Sequence, residues 1–182
     1  DGGSGGGLCD LHGVTHLVDV LQGGLGKGYG VVGGFVAGSA ELVDFIRSHA
    51  AGFIFTTALP PAVAAAALAS VRHLRASPAE RAALFQRVGS LRDSLCDAGL
   101  PVRETESQIL PLMVGDAGSC QSISDALLRK HGVYLQPINY PTVPRGAERL
   151  RITPSPLHTD DMAAALVAAL VAEFECRDLT FT

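Results

Sequence analysis

Lys27 is the residue whose type and setting could do chemistry most directly. It lies in Gln22-Gly23-Gly24-Leu25-Gly26-Lys27-Gly28-Tyr29-Gly30, where five of nine residues are glycine. With no Cβ in the way, such a backbone can turn sharply and approach a bound group closely. A single amine at that point suits Schiff-base chemistry, which needs a reachable and partly desolvated lysine. The same residues also describe a glycine-rich turn carrying a solvated lysine. A nucleotide-binding phosphate loop does not fit. Lys27 is followed by Gly28, not by serine or threonine, and position 21 is leucine. Cys9, Cys96, Cys120 and Cys176 lie far apart and lack the paired spacing of a zinc site, so no metal centre is expected. Free thiols in a reducing compartment are the expected state.

The lysine loop needs elements on both sides. A strand-like segment, His16 to Leu21, leads in, and another, Gly30 to Val36, leads out. Ser39 is placed to cap a short amphipathic helix through Arg47. Gly52-Phe53-Ile54-Phe55-Thr56 reads as a buried strand by its aromatic and β-branched content. Pro60 and Pro61 open an alanine-rich helix to about Arg75. Ser77-Pro78-Ala79-Glu80 then starts a second helix, with Leu84, Val88, Leu91 and Leu95 at helical spacing and a stop near Gly99. Two helices with no strand between them read as a link between subdomains. Beyond them the pattern is α+β: a strand over 109–114, a helix over 122–130, a strand over 133–138, a proline-marked loop over 139–145 and a short strand over 150–153. Thr159, Asp160 and Asp161 cap a last apolar helix, where the helix dipole favours the aspartates.

Composition sets the limits. The 182 residues are 47% hydrophobic and 18% charged, ordinary for a globular protein with a buried core. The net charge of −4 and the scattered basic residues leave no electrostatic footprint for nucleic acid. No run of about eighteen apolar residues is present, so no membrane span is expected. The opening Asp1-Gly2-Gly3-Ser4-Gly5-Gly6-Gly7 has the features of neither a signal nor a transit peptide and reads like the middle of a loop.

Four segments go beyond pattern: residues 23–27, with Leu25-Gly26-Lys27; residues 51–61, Ala-Gly-Phe-Ile-Phe-Thr-Thr-Ala-Leu-Pro-Pro; residues 138–146, Ile-Asn-Tyr-Pro-Thr-Val-Pro-Arg-Gly; and residues 150–156, Leu-Arg-Ile-Thr-Pro-Ser-Pro. Together they closely resemble the α-oxoamine synthases, and within them the 5-aminolevulinate synthases, from about Gly5 to about Glu173. The Asn139 to Gly146 stretch discriminates best among the sister enzymes. The resemblance implies an α/β fold: the C-terminal part of a PLP-dependent transferase of the aspartate-aminotransferase fold (fold type I). Residues 1–76 would complete a partial large domain, and residues 77–182 would supply the linking helix and a small α+β domain. The implied cofactor is pyridoxal 5'-phosphate (PLP). The implied reaction joins glycine and succinyl-CoA to give 5-aminolevulinate, CoA and CO2, in haem and tetrapyrrole biosynthesis.

By the same resemblance, Lys27 matches the lysine that links to the cofactor and then acts as general base. Arg151 matches the arginine that holds the glycine carboxylate, a task for a planar bidentate guanidinium. Thr142 matches a threonine that helps bind the succinyl carboxylate. Thr56 and Thr57 match hydroxyl residues that reach the PLP phosphate of a neighbouring subunit, which implies a homodimer with shared active sites. Arg145 and Arg149 read as surface arginines, and Asn139 and Pro144 as residues that shape the loop. Relatives occur in the mitochondrial matrix and in bacterial cytoplasm, so both compartments remain open.

Three departures qualify the resemblance. Gly24 stands where the family has a threonine that bonds the cofactor phosphate, and Gln108 where it usually has histidine. The aspartate that pairs with the pyridine nitrogen, the histidine that stacks on the ring and the glycine-rich helix start all lie upstream in the family. None is found here, so the chain reads as a truncated C-terminal half with apolar faces left uncovered. Two other readings stay open. One is a sister synthase using another acyl-CoA, against which the Thr142 stretch counts. The other is a non-catalytic remnant that pairs with an intact subunit, which Gly24 and the missing residues favour.

Overall fold

The computed structural model describes residues 5–179; residues 1–4 of the opening run and the last three residues lie outside it. The chain divides into two compact units, Asp1–Pro78 and Ala79–Thr182. In the first unit, α1 (Leu8–Leu11) and a 3-10 turn at Thr15–Leu17 precede an antiparallel hairpin of β1 (Leu21–Gly24) and β2 (Gly34–Ala37). Register runs from Leu21 opposite Ala37 to Gly24 opposite Gly34. Both strands are shorter than expected. Residues 16–20 do not form the strand expected there; the ladder starts only where β1 meets its partner.

Three helices complete the first unit: α2 (Ala40–His49), α3 (Ala51–Ile54) and α4 (Pro61–Ala76). Ser39 caps α2 as expected, accepting the Leu42 N–H at 3.2 Å. The expected strand at Gly52–Thr56 is instead the short helix α3 and its exit. Ile54 N–H donates to the Ala50 carbonyl at 2.9 Å, and Phe55 N–H to that of Ala51 at 3.3 Å. A buried strand needs ladder partners on its edges. No described strand pairs with this segment, so its backbone bonds close locally. Leu25 is the only buried apolar side chain described in this unit, whereas Val32 (76%) and Phe55 (85%) are largely exposed. The expectation of uncovered apolar faces is met here.

The second unit holds the core. A three-stranded antiparallel sheet, ordered β3 (Leu110–Met113), β5 (Arg149–Ile152), β4 (Gln136–Ile138), packs with α5 (Ala79–Asp97), α6 (Ala117–His131) and α7 (Asp160–Glu175). Val88, Leu91 and Leu95 of α5 are buried at the expected helical spacing, and Leu84 packs against the same cluster. They meet Leu110, Leu112, Leu150 and Ile152 from the sheet, Ile123 and Leu127 from α6, and Leu166, Leu170 and Phe174 from α7. Thr159 caps α7 by accepting the Met162 N–H at 3.2 Å. Arg87 of α5 pairs with Asp160 in its first turn. Helix α6 begins five residues earlier than expected because Asp116 accepts the Ser119 N–H at 2.7 Å. The strand expected over 133–138 is confined to its last three residues, because only these pair with β5. Among the described residues no helix is long and apolar enough to cross a membrane, and no cluster of His, Cys, Asp or Glu could hold a metal ion.

Candidate active site

In the first unit, Lys27 sits in the exposed loop that joins β1 to β2. The loop closes through Leu25 N–H donating to the Gly33 carbonyl at 2.9 Å, Val31 N–H to the Leu25 carbonyl at 3.0 Å, and Gly30 N–H to the Lys27 carbonyl at 3.1 Å. Leu25 turns inward and Lys27 outward, so the loop is anchored by one buried apolar side chain while the amine stays free. Among the described residues Nζ of Lys27 has no hydrogen bond or ion-pair partner. Gly33 adopts φ +121, and a Cβ there would come within 2.9 Å of Leu59 Cδ1. Leu59 therefore brings the segment after α3, with the exposed Thr56 and Thr57, back to the base of the lysine loop. Thr56 Oγ1 donates to the Thr57 carbonyl at 3.0 Å. At Gly24 the direction of a Cβ is open, with nothing within 4 Å.

In the second unit, Arg151 lies on the central strand β5, opposite Pro111 on β3 and Gln136 on β4. Its neighbours Leu150 and Ile152 point into the core, so alternation places the guanidinium on the exposed face. It has no partner among the described residues, whereas Arg149 Nε donates to the Ala147 carbonyl at 2.9 Å. Thr142 is exposed in the loop before β5. Its N–H donates to the Asn139 carbonyl at 2.9 Å, its hydroxyl has no described partner, and the neighbouring Tyr140–Pro141 peptide is cis.

Glu148 organises that loop, and the sequence reading missed it. Its carboxylate is buried and accepts the Gly146 N–H at 2.7 Å. Its backbone carbonyl accepts the N–H groups of Val114 and Gly115 at 2.9 and 3.0 Å. An acid two residues before Leu150 has the parity of the core face, and that was the available signal. The Cys120 thiol lies in the same neighbourhood, and burial pushes it up to about 11, so it is inert at neutral pH. Replacing Glu148 by alanine removes the acceptor of the Gly146 N–H, and because Gly146 is exposed water can take its place, so the expected cost is about 0.5–1.5 kcal/mol. Glu148→Gln, which keeps an acceptor, should cost much less. Denaturant unfolding of the two variants checks this, and equal stabilities would contradict it.

The family model for aminotransferase class I and II matches residues 2–170. The chain belongs to that family. Within it, the chain is 56% identical over 169 residues to 5-aminolevulinate synthase of Rhizobium meliloti (strain 1021), covering 93% of this chain and 42% of the relative. It is 49% identical to the erythroid-specific, mitochondrial 5-aminolevulinate synthase of Delphinapterus leucas, covering 94% of this chain and 30% of that protein. Serine palmitoyltransferase of Sphingomonas wittichii superposes with a TM-score of 0.88 at 27% identity, over 98% of this chain and 45% of that one. The aminotransferase-family chain thus spans less than half the length of these relatives, and the fold class expected from the four segments is the one found. Other solved serine palmitoyltransferases similar to this chain carry PLP.

Proposed function

We propose that this chain is the C-terminal part of a PLP-dependent 5-aminolevulinate synthase, which condenses glycine with succinyl-CoA to give 5-aminolevulinate, CoA and CO2. The observation that carries the proposal is an unpartnered lysine on an open glycine loop in a chain 56% identical to such an enzyme. The residues present fit the cofactor: no Cβ obstructs the loop around Lys27, and Gly24 and Gly28 face open space. PLP, when bound, supplies the electron sink that stabilises negative charge at the glycine α-carbon. Lys27 would hold the cofactor through Nζ and, once the amino group of glycine has displaced it, would be a neutral amine placed to take the α-proton. Thr57 would offer a hydroxyl donor to the phosphate, and Thr56 would do so on giving up its bond to the Thr57 carbonyl, in a homodimer whose sites are shared. Arg151 grips the glycine carboxylate with a planar fork, and Thr142 donates to the carboxylate of the acyl group. Residues 1–76 then belong to the large domain and residues 77–182 to the linking helix and small domain. The compartment is the mitochondrial matrix in a eukaryote and the cytoplasm in a bacterium.

The chain makes a clean test possible, because Lys27 and Lys130 are its only lysines. Lys130 Nζ is already tied to Glu173 at 2.9 Å. Addition of PLP followed by borohydride reduction and peptide mapping should label Lys27 and leave Lys130 bare. Lys27→Ala should abolish the label. Label on Lys130 or the N-terminus alone would refute the assignment of Lys27 and favour a remnant that no longer holds the cofactor.

A further inference from the structure

The Arg145 guanidinium lies over the Tyr140 ring, 4.7 Å from its centroid. Both side chains are exposed, and they bracket Thr142 in one loop. Elsewhere in this unit Arg87, Arg92, Arg149 and Arg177 each engage a carboxylate or a carbonyl. Arg145 engages neither among the described residues. A stacked guanidinium has lost much of its side-chain freedom before any ligand arrives, while its N–H edge stays available. Two further groups of the loop are also unmatched. The Thr142 hydroxyl has no described partner, and Asn139 Oδ1 is buried without one, although Asn139 Nδ2 reaches the Ala117 carbonyl at 3.4 Å. The loop's backbone, by contrast, is well satisfied through Asn139, Pro144 and Glu148. Only Asn139 Oδ1 is shielded from water; the exposed Thr142 hydroxyl and Arg145 N–H edge are free to exchange water for a ligand, on a loop whose backbone is firmly held.

We propose that Arg145, set in place by Tyr140, is a specificity-determining residue that receives anionic oxygens of the acyl donor beside Thr142. This rests on the acyl-transfer reading above. Arg145 is exposed, as expected of a surface arginine, and the proposal adds a ligand to that position. The shared chemistry is an anion on a thioester: either the terminal carboxylate of a dicarboxylic acyl group or a phosphate of its carrier. A donor lacking the relevant anion gains nothing from Arg145 and is selected against.

Calorimetric titration of the chain with succinyl-CoA, acetyl-CoA and succinyl-pantetheine tests this. Arg145→Ala should weaken succinyl-CoA binding about tenfold or more, the range of a lost charge-assisted contact. Arg145→Lys should restore only part, since a point charge lacks the fork. Tyr140→Phe should bind as the parent, and Tyr140→Ala should follow Arg145→Ala, because stacking needs the ring and not the hydroxyl. If the loss appears with acetyl-CoA and not with succinyl-pantetheine, the anion is the carrier's phosphate. The reverse pattern identifies the acyl carboxylate. Unchanged affinities in Arg145→Ala, or no saturable binding by the parent chain, would overturn the proposal. PLP labelling at Lys27 uses neither Arg145 nor a thioester, so the two readings fail separately. A chain that labels at Lys27 but binds thioesters without Arg145 loses only this inference. A chain that binds them through Arg145 without labelling loses the cofactor assignment instead.

Discussion

Acidification from pH 5 to pH 2 is expected to remove about 3 kcal/mol of stability from the second unit through one side chain, Glu173. Glu173 is 3% exposed and sits on the inner face of α7. Arg177 Nη1 donates to its Oε2 at 2.6 Å, Lys130 Nζ to Oε1 at 2.9 Å, and His131 Nε2 lies 3.3 Å from Oε1. Arg177 foremost, then Lys130, hold this carboxyl down to about 2 from its ordinary 4.5; burial opposes them and His131 assists. The folded form thus holds its proton less tightly than the unfolded chain. The resulting stability is complete above the unfolded value near 4.5 and disappears as the pH falls towards 2. Urea unfolding of the parent and of Glu173→Gln at pH 7, 5, 3 and 2 isolates the contribution, since the other carboxylates titrate alike in both. The parent should be the more stable at pH 7, and the two should converge by pH 2. Parallel curves would show that the ion cluster contributes nothing. Because the cluster ties the end of α6 to α7, its loss is felt where the core of this unit is closed.

Glu173 also marks the limit of what could be read from sequence. Helices α4, α5 and α7 were legible because their signals are local: prolines at the start of α4, apolar residues recurring at 88, 91 and 95, and a Thr159 cap followed by two aspartates. The alternation of Leu150, Arg151 and Ile152 was legible for the same reason. Segments whose state depends on distant partners were not. Phe53-Ile54-Phe55 has strand composition but no neighbouring strand, and it coils into α3. Arg177 lies only four residues on from Glu173, but the other two partners lie 42 and 43 residues away in the chain, on α6. In the first unit Lys27 stood out by type and setting, whereas Gly24 and, in the second unit, Arg151 were singled out by the family resemblance. Glu148 carried a signal in its parity with Leu150, but its contact with the Gly146 N–H and the stacking of Arg145 on Tyr140 depend on how one loop folds back on itself.

Gly24→Thr is expected to tighten PLP binding by about 10- to 100-fold, the value of one charge-assisted hydrogen bond to a phosphate. The position permits the change. Gly24 is the last residue of β1, exposed, opposite Gly34, and a Cβ built on it meets nothing within 4 Å. Gly33 makes the contrast: at φ +121, with Leu59 2.9 Å from the site of a Cβ, alanine would strain the backbone and push the lysine loop off its anchor. Threonine at position 24 has a second effect that must be separated from the first. A β-branched residue suits a strand better than glycine and should stiffen the hairpin whatever its hydroxyl does. Gly24→Val supplies the same shape without the donor. The expected order of PLP affinity, measured by absorbance titration and by the yield of borohydride label on Lys27, is therefore threonine well above valine, with valine near or slightly above the parent. Equal gains for threonine and valine would place the benefit in loop order and remove the hydroxyl from the phosphate site. No gain from either would mean that the backbone N–H groups of this glycine loop already satisfy the phosphate, so that Gly24 costs the cofactor site nothing.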